Sequence, residues 1–477
     1  MTAVQAPPQH EIAAARRERQ LLWLIAATIF FSVVNTTMTN VALPTIGAHF
    51  NTGPGQVGWL ATLYSLVFGV TTPFYGRLGD RYGLRRMYVI GLVIFVVSSL
   101  LAGLAPTFWL LVLFRAGQGL GASAIPSLGI AMLTRTIPSA RRGASLGLIG
   151  ASVGAGQALG PTLGGTLTEF ISWRAVFFVS CLVAALIPAA RRWMPNEVDP
   201  RAQPVDWFGG LALGAAIAGV LVAVGNLEGA GVASAAVLGP LALALLAFGL
   251  LILRQRSARF PFIDRLLLAN PRYLAICALG FLAMASNIGA FIVAPFLLEE
   301  VNGLSAALVG LTLLPQALMT TFTSRPVGRL CDRFDTLKLT AVGFGINLTV
   351  LLTLAIFAVG WPAWVLAGLF ATFGIGQAFV SAPISVSITR VVPARVTGTG
   401  LGLYNMMFFI GSAFGAAAAT ATLAAREGAG SALLPFYQGT PAFPWFSDAY
   451  LFSLGAAGVA LLVVWLASRA RVPRDAG

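Results

Sequence analysis

Charge is what this 477-residue chain has least of: Asp, Glu, Lys and Arg make up 10% of it, against about a quarter in an ordinary soluble domain. Such a chain cannot cover itself with polar surface, which excludes a soluble enzyme. Histidine is scarcer still. His10, in the N-terminal stretch, and His49, at a loop, are the only two. No catalytic constellation can be assembled around them, and the chain is read as not an enzyme. The three cysteines, Cys181, Cys277 and Cys331, suit neither a disulfide framework nor a metal site, so no metal and no cofactor are expected.

What is present is apolar sequence, 57% of the chain, in blocks about as long as a bilayer's hydrocarbon core is thick in helical residues. Breaks at Gly, Pro and charge place helices at about 21–46, 57–76, 87–105, 108–133, 144–171, 174–190, 206–226, 234–253, 272–298, 304–325, 338–360, 363–388, 398–425 and 448–468. The first block is too long for the apolar core of a cleaved signal. The fold class expected is therefore an all-α integral membrane protein of fourteen transmembrane helices.

The net charge of +14 would suggest nucleic acid if the arginines formed one face or a tail. They do not. With the N-terminus inside, every Lys and Arg except Arg115, Arg174 and Arg426 falls in cytoplasmic segments, the bias that orients membrane proteins. The expectation is a multi-pass protein of the inner (plasma) membrane with both termini cytoplasmic, its partners being the lipid bilayer and a small-molecule substrate, with no nucleic acid, and a monomer.

The two halves repeat. Gly76-Arg-Leu-Gly-Asp80-Arg81 recurs as Gly328-Arg-Leu-Cys-Asp332-Arg333, and Arg135-x-x-Pro138-x4-Gly143-x3-Gly147-Leu148 as Arg390-x-x-Pro393-x4-Gly398-x3-Gly402-Leu403, at nearly the same offset. Duplicated bundles with substrate held between them near the midplane are a common transporter plan. The expected division is a tail at 1–20, a six-helix bundle at 21–190, linkers with two inserted helices at 191–271, a second six-helix bundle at 272–468, and a tail at 469–477.

Three motifs carry a family resemblance. The loop Gly76-Arg-Leu-Gly-Asp80-Arg81-Tyr-Gly83-Leu-Arg85-Arg86 resembles the signature loop of the major facilitator superfamily. Its glycines allow a tight turn, and Asp80 at a helix end can pair with arginines across the bundle interface. Arg115-x-x-Gln118-Gly119-x-Gly121-Ala122 resembles the second motif of that superfamily, whose arginine is linked to proton transfer. An intramembrane charge is a functional candidate by default, although a structural arginine bonded to backbone carbonyls fits the same residues. Gly147-x8-Gly156-x3-Gly160-Pro161-x2-Gly164-Gly165 matches the motif that marks the superfamily's antiporters, built on small-residue packing with a proline bend. With Asn35-Thr-Thr-Met-Thr-Asn40-Val-Ala-Leu-Pro44 in the first helix, the chain resembles the fourteen-helix drug/proton antiporters, including tetracycline and multidrug exporters. The resemblance implies the major facilitator fold and secondary active export of amphipathic drug-like molecules by alternating access. It also implies exchange with protons, the proton gradient supplying the energy. Asp80, Arg81, Arg85, Arg115 and Asp332 are then the gating and proton-coupling candidates.

The chain departs from that pattern in its acids. Many multidrug members carry aspartate where this chain has Asn35, and tetracycline members carry an acid where it has Gln157. No carboxylate falls near a predicted midplane. A cavity with one arginine and amides should favour neutral, zwitterionic or anionic amphiphiles. The substrate-binding candidates are Asn35, Thr39, Arg115, Gln118, Gln157, Asn287, Gln316, Gln377 and Asn405, each of which fits an interhelical hydrogen bond equally well. Tyr64, Phe291, Phe408 and Phe409 could add stacking surface. Of two rival functions, an importer built on the same bundle stays open, and a non-transporting membrane receptor or lipid-modifying enzyme is set aside because no catalytic constellation can be assembled.

Overall fold

The structure is a computed structural model, and it describes residues 9–137, 139–195, 206–230, 234–258, 262–263, 265–392 and 397–469. Helix is the only regular structure among them, as lipid requires, because a helix satisfies its own backbone polar groups. The long helices are α1 (Gln9–Phe50), α2 (Trp59–Tyr82), α3 (Leu84–Gly103), α4 (Phe108–Thr136), α5 (Ser139–Phe170), α6 (Trp173–Trp193), α7 (Trp207–Ala230), α8 (Ala235–Ser257), α9 (Pro271–Glu300), α10 (Ala306–Leu330), α11 (Thr336–Phe357), α12 (Ala363–Val391), α13 (Thr397–Arg426) and α14 (Trp445–Arg469).

Each expected span is occupied by one of these helices. Thirteen of the described helices are long and apolar enough to cross a membrane. The remaining one, α5, has 32 residues, but its glycines dilute its apolar content. Two boundaries differ from expectation. The first helix begins at Gln9 instead of near residue 21, since Ala13, Ala14 and Ala15 and the polar residues around them are good helix formers. Residues 9–20 of the expected tail are therefore part of this helix, and residues 1–8 lie outside the described residues. The sixth helix passes through a 3-10 turn at Cys181–Leu186. Residues 196–205 of the expected linker and 470–477 of the expected C-terminal tail lie outside the described residues.

Several starts are capped by their own sequence. Asp335 Oδ1 accepts from the backbone N–H of Leu337 at 2.8 Å, and Asn270 Oδ1 from those of Arg272 and Tyr273 at 3.1 and 3.2 Å, with Pro271 in the first turn.

Among the first six helices, α1 packs on α5, α2 on α4 and α3 on α4. In the last six, α9 packs on α13 and α14, and α12 on α10 and α11. The two halves meet along two seams, α5 against α10 and α2 against α13. The remaining pair, α7 and α8, lies outside this core. A stripe of α7 fits along α2 in antiparallel order: Gly210 against Phe74, Gly214 against Val70, and Gly225 against Trp59. Leu221 of α7 completes a cluster with Leu66 of α2 and with Ala413 and Ala417 of α13, so α7 covers the α2–α13 seam. At the face carrying the chain termini, Trp207 stacks on Phe74 at 5.2 Å. Arg77 Nη2 there donates to the Phe262 carbonyl at 3.0 Å. Buried Asp206 ties the pair together, accepting from Arg254 Nε and from the Gly209 N–H, both at 3.1 Å.

Candidate functional site

The loop joining α2 to α3 turns on Gly83, whose φ of 97° is open to glycine at little cost. Just before it, Asp80 forms an ion pair with Arg135 at the end of α4. The partner is therefore within the same half, and not across the interface as the sequence suggested, because α4 ends beside α2 on the terminal face. Arg81 is exposed over the Tyr82 ring at 5.5 Å, and Arg85 donates to the Arg191 carbonyl at 3.3 Å. The repeat does not reproduce the pair. Asp332 is exposed, and Arg390, the counterpart of Arg135, donates instead to the Cys331 carbonyl at 3.3 Å.

Arg115 is wholly buried two turns into α4, nearer the end of that helix away from the chain termini. Its Nε donates to the Leu60 carbonyl at 3.2 Å, and its Nη1 donates to Asn35 Oδ1 at 3.0 Å and to Gln118 Oε1 at 2.9 Å. The amides are anchored in turn: Asn35 Nδ2 donates to Ser180 Oγ at 2.7 Å, and Gln118 Nε2 to Ser99 Oγ at 2.7 Å. One polar chain thus joins α1, α2, α3, α4 and α6. The guanidinium lies over the Tyr64 ring at 4.3 Å, a cation–π contact in a dry site. All these partners are uncharged, and Nη2 has none among the described residues.

From Tyr64 an aromatic path leads out of this core. Tyr64 meets Phe68 at 5.9 Å, and Phe68 lies across the α2–α13 seam from Phe409 at 3.9 Å. Phe408 continues it at 5.5 Å. Beside it, Ser65 and Ser412 hydroxyls meet at 3.1 Å.

The polar residues predicted to bind substrate divide into two groups. Asn35, Gln118, Thr39 and Gln377 are buried and engaged with the protein. Thr39 Oγ1 donates to the Asn35 carbonyl at 2.8 Å, and Gln377 Oε1 accepts from Asn347 Nδ2 at 3.3 Å. The side-chain amides of Gln157, Asn287, Gln316 and Asn405 have no protein partner among the described residues. Gln157 lies between Gly154 and Pro161, and Gln316 between Gly310 and Thr321, which are the residues that meet across the α5–α10 seam. Asn405 adjoins Met406, whose carbonyl packs against Gly69 of α2. Phe291 is buried in the helix core rather than paired with these amides.

The glycine motif of α5 presents two faces. Gly156, Gly160 and Gly164, four apart, receive Val33, Thr37 and Met38 of α1, as close small-residue packing requires. Pro161 and Gly165 receive the backbone of α10: a methyl on Gly165 would overlap the Ala306 carbonyl, and one on Gly310 the Pro161 carbonyl. Beyond them, Glu169 Oε2 accepts from the Ala307 N–H at 2.9 Å, capping the start of α10 from the other half. The seam is therefore closed on the face away from the termini. Towards the terminal face, Gly150 and Gly328 have open space where a side chain would stand. Gly147 lies within α5, nearer that same face.

A sequence model of the Major Facilitator Superfamily matches residues 25–416. The chain belongs to that superfamily. Among relatives of this superfamily member, the drug efflux pump JefA of Mycobacterium tuberculosis is 30% identical over 438 residues, 87% of this chain and 82% of that one. The riboflavin transporter RibZ of Clostridioides difficile is 28% identical over 400 residues, covering 83% and 86%. In fold, the transporter superposes on the inward-facing, unoccupied crystal structure of a bacterial homologue of the human lysosomal transporter Spinster. That match has a TM-score of 0.64 at 18% identity and covers 95% of this chain and 97% of the other. The protein is thus a multi-pass membrane transporter of this superfamily and not an enzyme.

Sequence reasoning missed the partners. Arg135 stood in a repeated Arg-x-x-Pro motif that could have marked it. Ser99 and Ser180 carry no such signal. Asp448 was also passed over: it is wholly buried at the start of α14, accepting from Arg426 Nε at 2.8 Å and from the Leu433 N–H at 2.7 Å.

Proposed function

We propose that the chain exports amphipathic drug-like small molecules from the cytoplasm across the plasma membrane by alternating access, in exchange for protons. The observation that carries this reading is the backbone-to-backbone closure of the α5–α10 seam by Pro161 and Gly165, residues of the motif that resembles the antiporters. Both termini are assigned to the cytoplasm by the arginine distribution. The closed face is then external, and the seam is read as parting on the cytoplasmic face, where Gly150 and Gly328 have no neighbour, towards the compartment from which an exporter loads.

Gln157, Asn287, Gln316 and Asn405 supply hydrogen bonds to the substrate, and Phe68, Phe408 and Phe409 its stacking surface. Binding between two halves that rock about such a site is the general transporter scheme. The Asp80–Arg135 pair holds the α2–α3 loop to α4 within one half, and that loop is assigned the gating role on the cytoplasmic face. No described carboxylate lies at the middle of a helix, so proton exchange is assigned to groups near the faces, Asp80 first among them.

The second reading, import, is favoured by one observation, the riboflavin transporter among the relatives. Inside-out vesicles separate the two. Export is expected to appear as proton-gradient-driven accumulation of a fluorescent amphiphile inside such vesicles, together with raised drug tolerance in an efflux-deficient host. Accumulation only in right-side-out vesicles would establish import instead.

A further inference from the structure

We infer that the space between the two halves selects organic anions and neutral molecules over cations, and that Arg115 sets this preference from a distance. The inference rests on the reading that the unpartnered amides, Gln157 and Gln316 beside the α5–α10 seam first among them, hold the substrate.

Among the described residues, carboxylates keep to the helix ends: Glu11 and Glu18 on the opening turns of α1, and Asp80, Glu169, Asp206, Glu228, Glu299, Glu300, Asp332, Asp335, Glu427 and Asp448 at or beside other termini. Arg115 differs in its surroundings: wholly buried two turns into α4, it is bordered by a carbonyl, two amides and a tyrosine ring, none of which cancels its charge. Sharing hydrogen bonds with neutral groups stabilises a guanidinium without neutralising its field.

That field reaches the seam. The guanidinium is 4.3 Å from the Tyr64 ring, and Tyr64 is 5.9 Å from Phe68, the ring that faces Phe409 of the other half. The charge therefore lies no more than about 10 Å from the surface a bound molecule would occupy. At about 10 Å and an effective dielectric near 20, one uncompensated charge changes the binding of a singly charged ligand by roughly tenfold to twentyfold. Anions gain and cations lose, so the ratio between otherwise matched ions approaches about a hundredfold. Little of this is lost to salt, because the intervening path is filled by side chains instead of electrolyte.

Asn35 provides the decisive perturbation. Its Oδ1 already accepts from Arg115 Nη1 at 3.0 Å. Asn35→Asp would keep shape and contact while pairing the guanidinium with a carboxylate, and the outward field would collapse.

The test is a fluorescence titration of purified full-length protein in nanodiscs of zwitterionic lipid. Three dansyl probes share one ring system and end in a carboxylate, a neutral amide or a quaternary ammonium. Wild type is expected to bind the carboxylate probe most tightly and the ammonium probe least, with about tenfold between successive probes. In Asn35→Asp the three affinities should converge to within about threefold. Gln316→Ala should weaken all three probes alike, which places them at the seam. Arg115→Gln offers a second route to convergence if it accumulates in the membrane; Asn35→Asp suffices if it does not. Equal affinities in wild type, an order unchanged in Asn35→Asp, or no binding of any probe would each overturn the inference. Vesicle flux fails separately: uptake in place of export would remove the export reading and leave the probe order standing.

Discussion

Gly165→Ala is expected to force the α5–α10 seam open at the end away from the chain termini. The added methyl would overlap the Ala306 carbonyl, a backbone atom at the start of α10 that cannot rotate away as a side chain can. Overpacking of this kind costs roughly 1–3 kcal/mol. The strain exists only while the halves touch at this end, so it destabilises the state closed there and no other. At about 1.4 kcal/mol per factor of ten, the closed-to-open ratio should fall by roughly fivefold to 150-fold. Gly150→Ala, on the same helix, is the control, since nothing stands within 4 Å of its new methyl. Both changes raise helix propensity equally, so a difference between them isolates the seam. The assay is a distance distribution between spin labels at Thr166 and Leu308, both exposed near the ends of α5 and α10 away from the chain termini, in protein whose three cysteines are replaced by serine. A long-distance population that grows in Gly165→Ala and not in Gly150→Ala is expected. Identical distributions in the two variants would refute the reasoning, showing that the seam yields locally without opening. Gly164→Ala makes a useful contrast: its methyl would lie 2.6 Å from Met38 Cα within one half, so it should lower membrane yield without favouring the open state.

Three further outcomes are expected. Asp80→Asn should cut vesicle transport at least about tenfold while membrane levels on immunoblots stay unchanged, because an ion pair about one-third exposed contributes only about 0–1 kcal/mol to folding; transport at the wild-type rate would return the pair to a structural role. Asp448→Asn should cost about 2 kcal/mol, seen as a lowered unfolding temperature in detergent, since it removes the charge from a buried partner of Arg426 that is itself partly exposed. A cysteine at Ser431, exposed in the segment that Arg426 Nη2 holds through the Ser431 carbonyl at 2.6 Å, should react with an impermeant maleimide in intact cells; protection there would reverse the assigned orientation.

The helices were legible in the sequence because lipid imposes a length on every apolar block, and that constraint is local. Even α5, whose glycines dilute its hydropathy, was placed by its apolar block and the breaks on either side of it. Contacts were less legible. Asn35 and Gln157 are both amides on predicted spans, yet one is locked between Arg115 and Ser180 and the other has no partner. Helical periodicity alone does not tell a face turned to a neighbouring helix from a face turned to a seam. The internal repeat also misled, since it made Asp332 the equal of Asp80. What breaks the symmetry is that Arg390 bonds a backbone carbonyl while Arg135 finds the carboxylate, a difference of side-chain direction that no spacing encodes.

The position of α7 gives the molecule an unequal perimeter. Along the α2–α13 seam a third helix lies over the joint, its glycines taking up Trp59, Val70 and Phe74. Along the α5–α10 seam, Leu159 and Leu163 on one side and Leu308 and Leu311 on the other are exposed. A hydrophobic solute dissolved in the bilayer therefore meets one shuttered flank and one bare one.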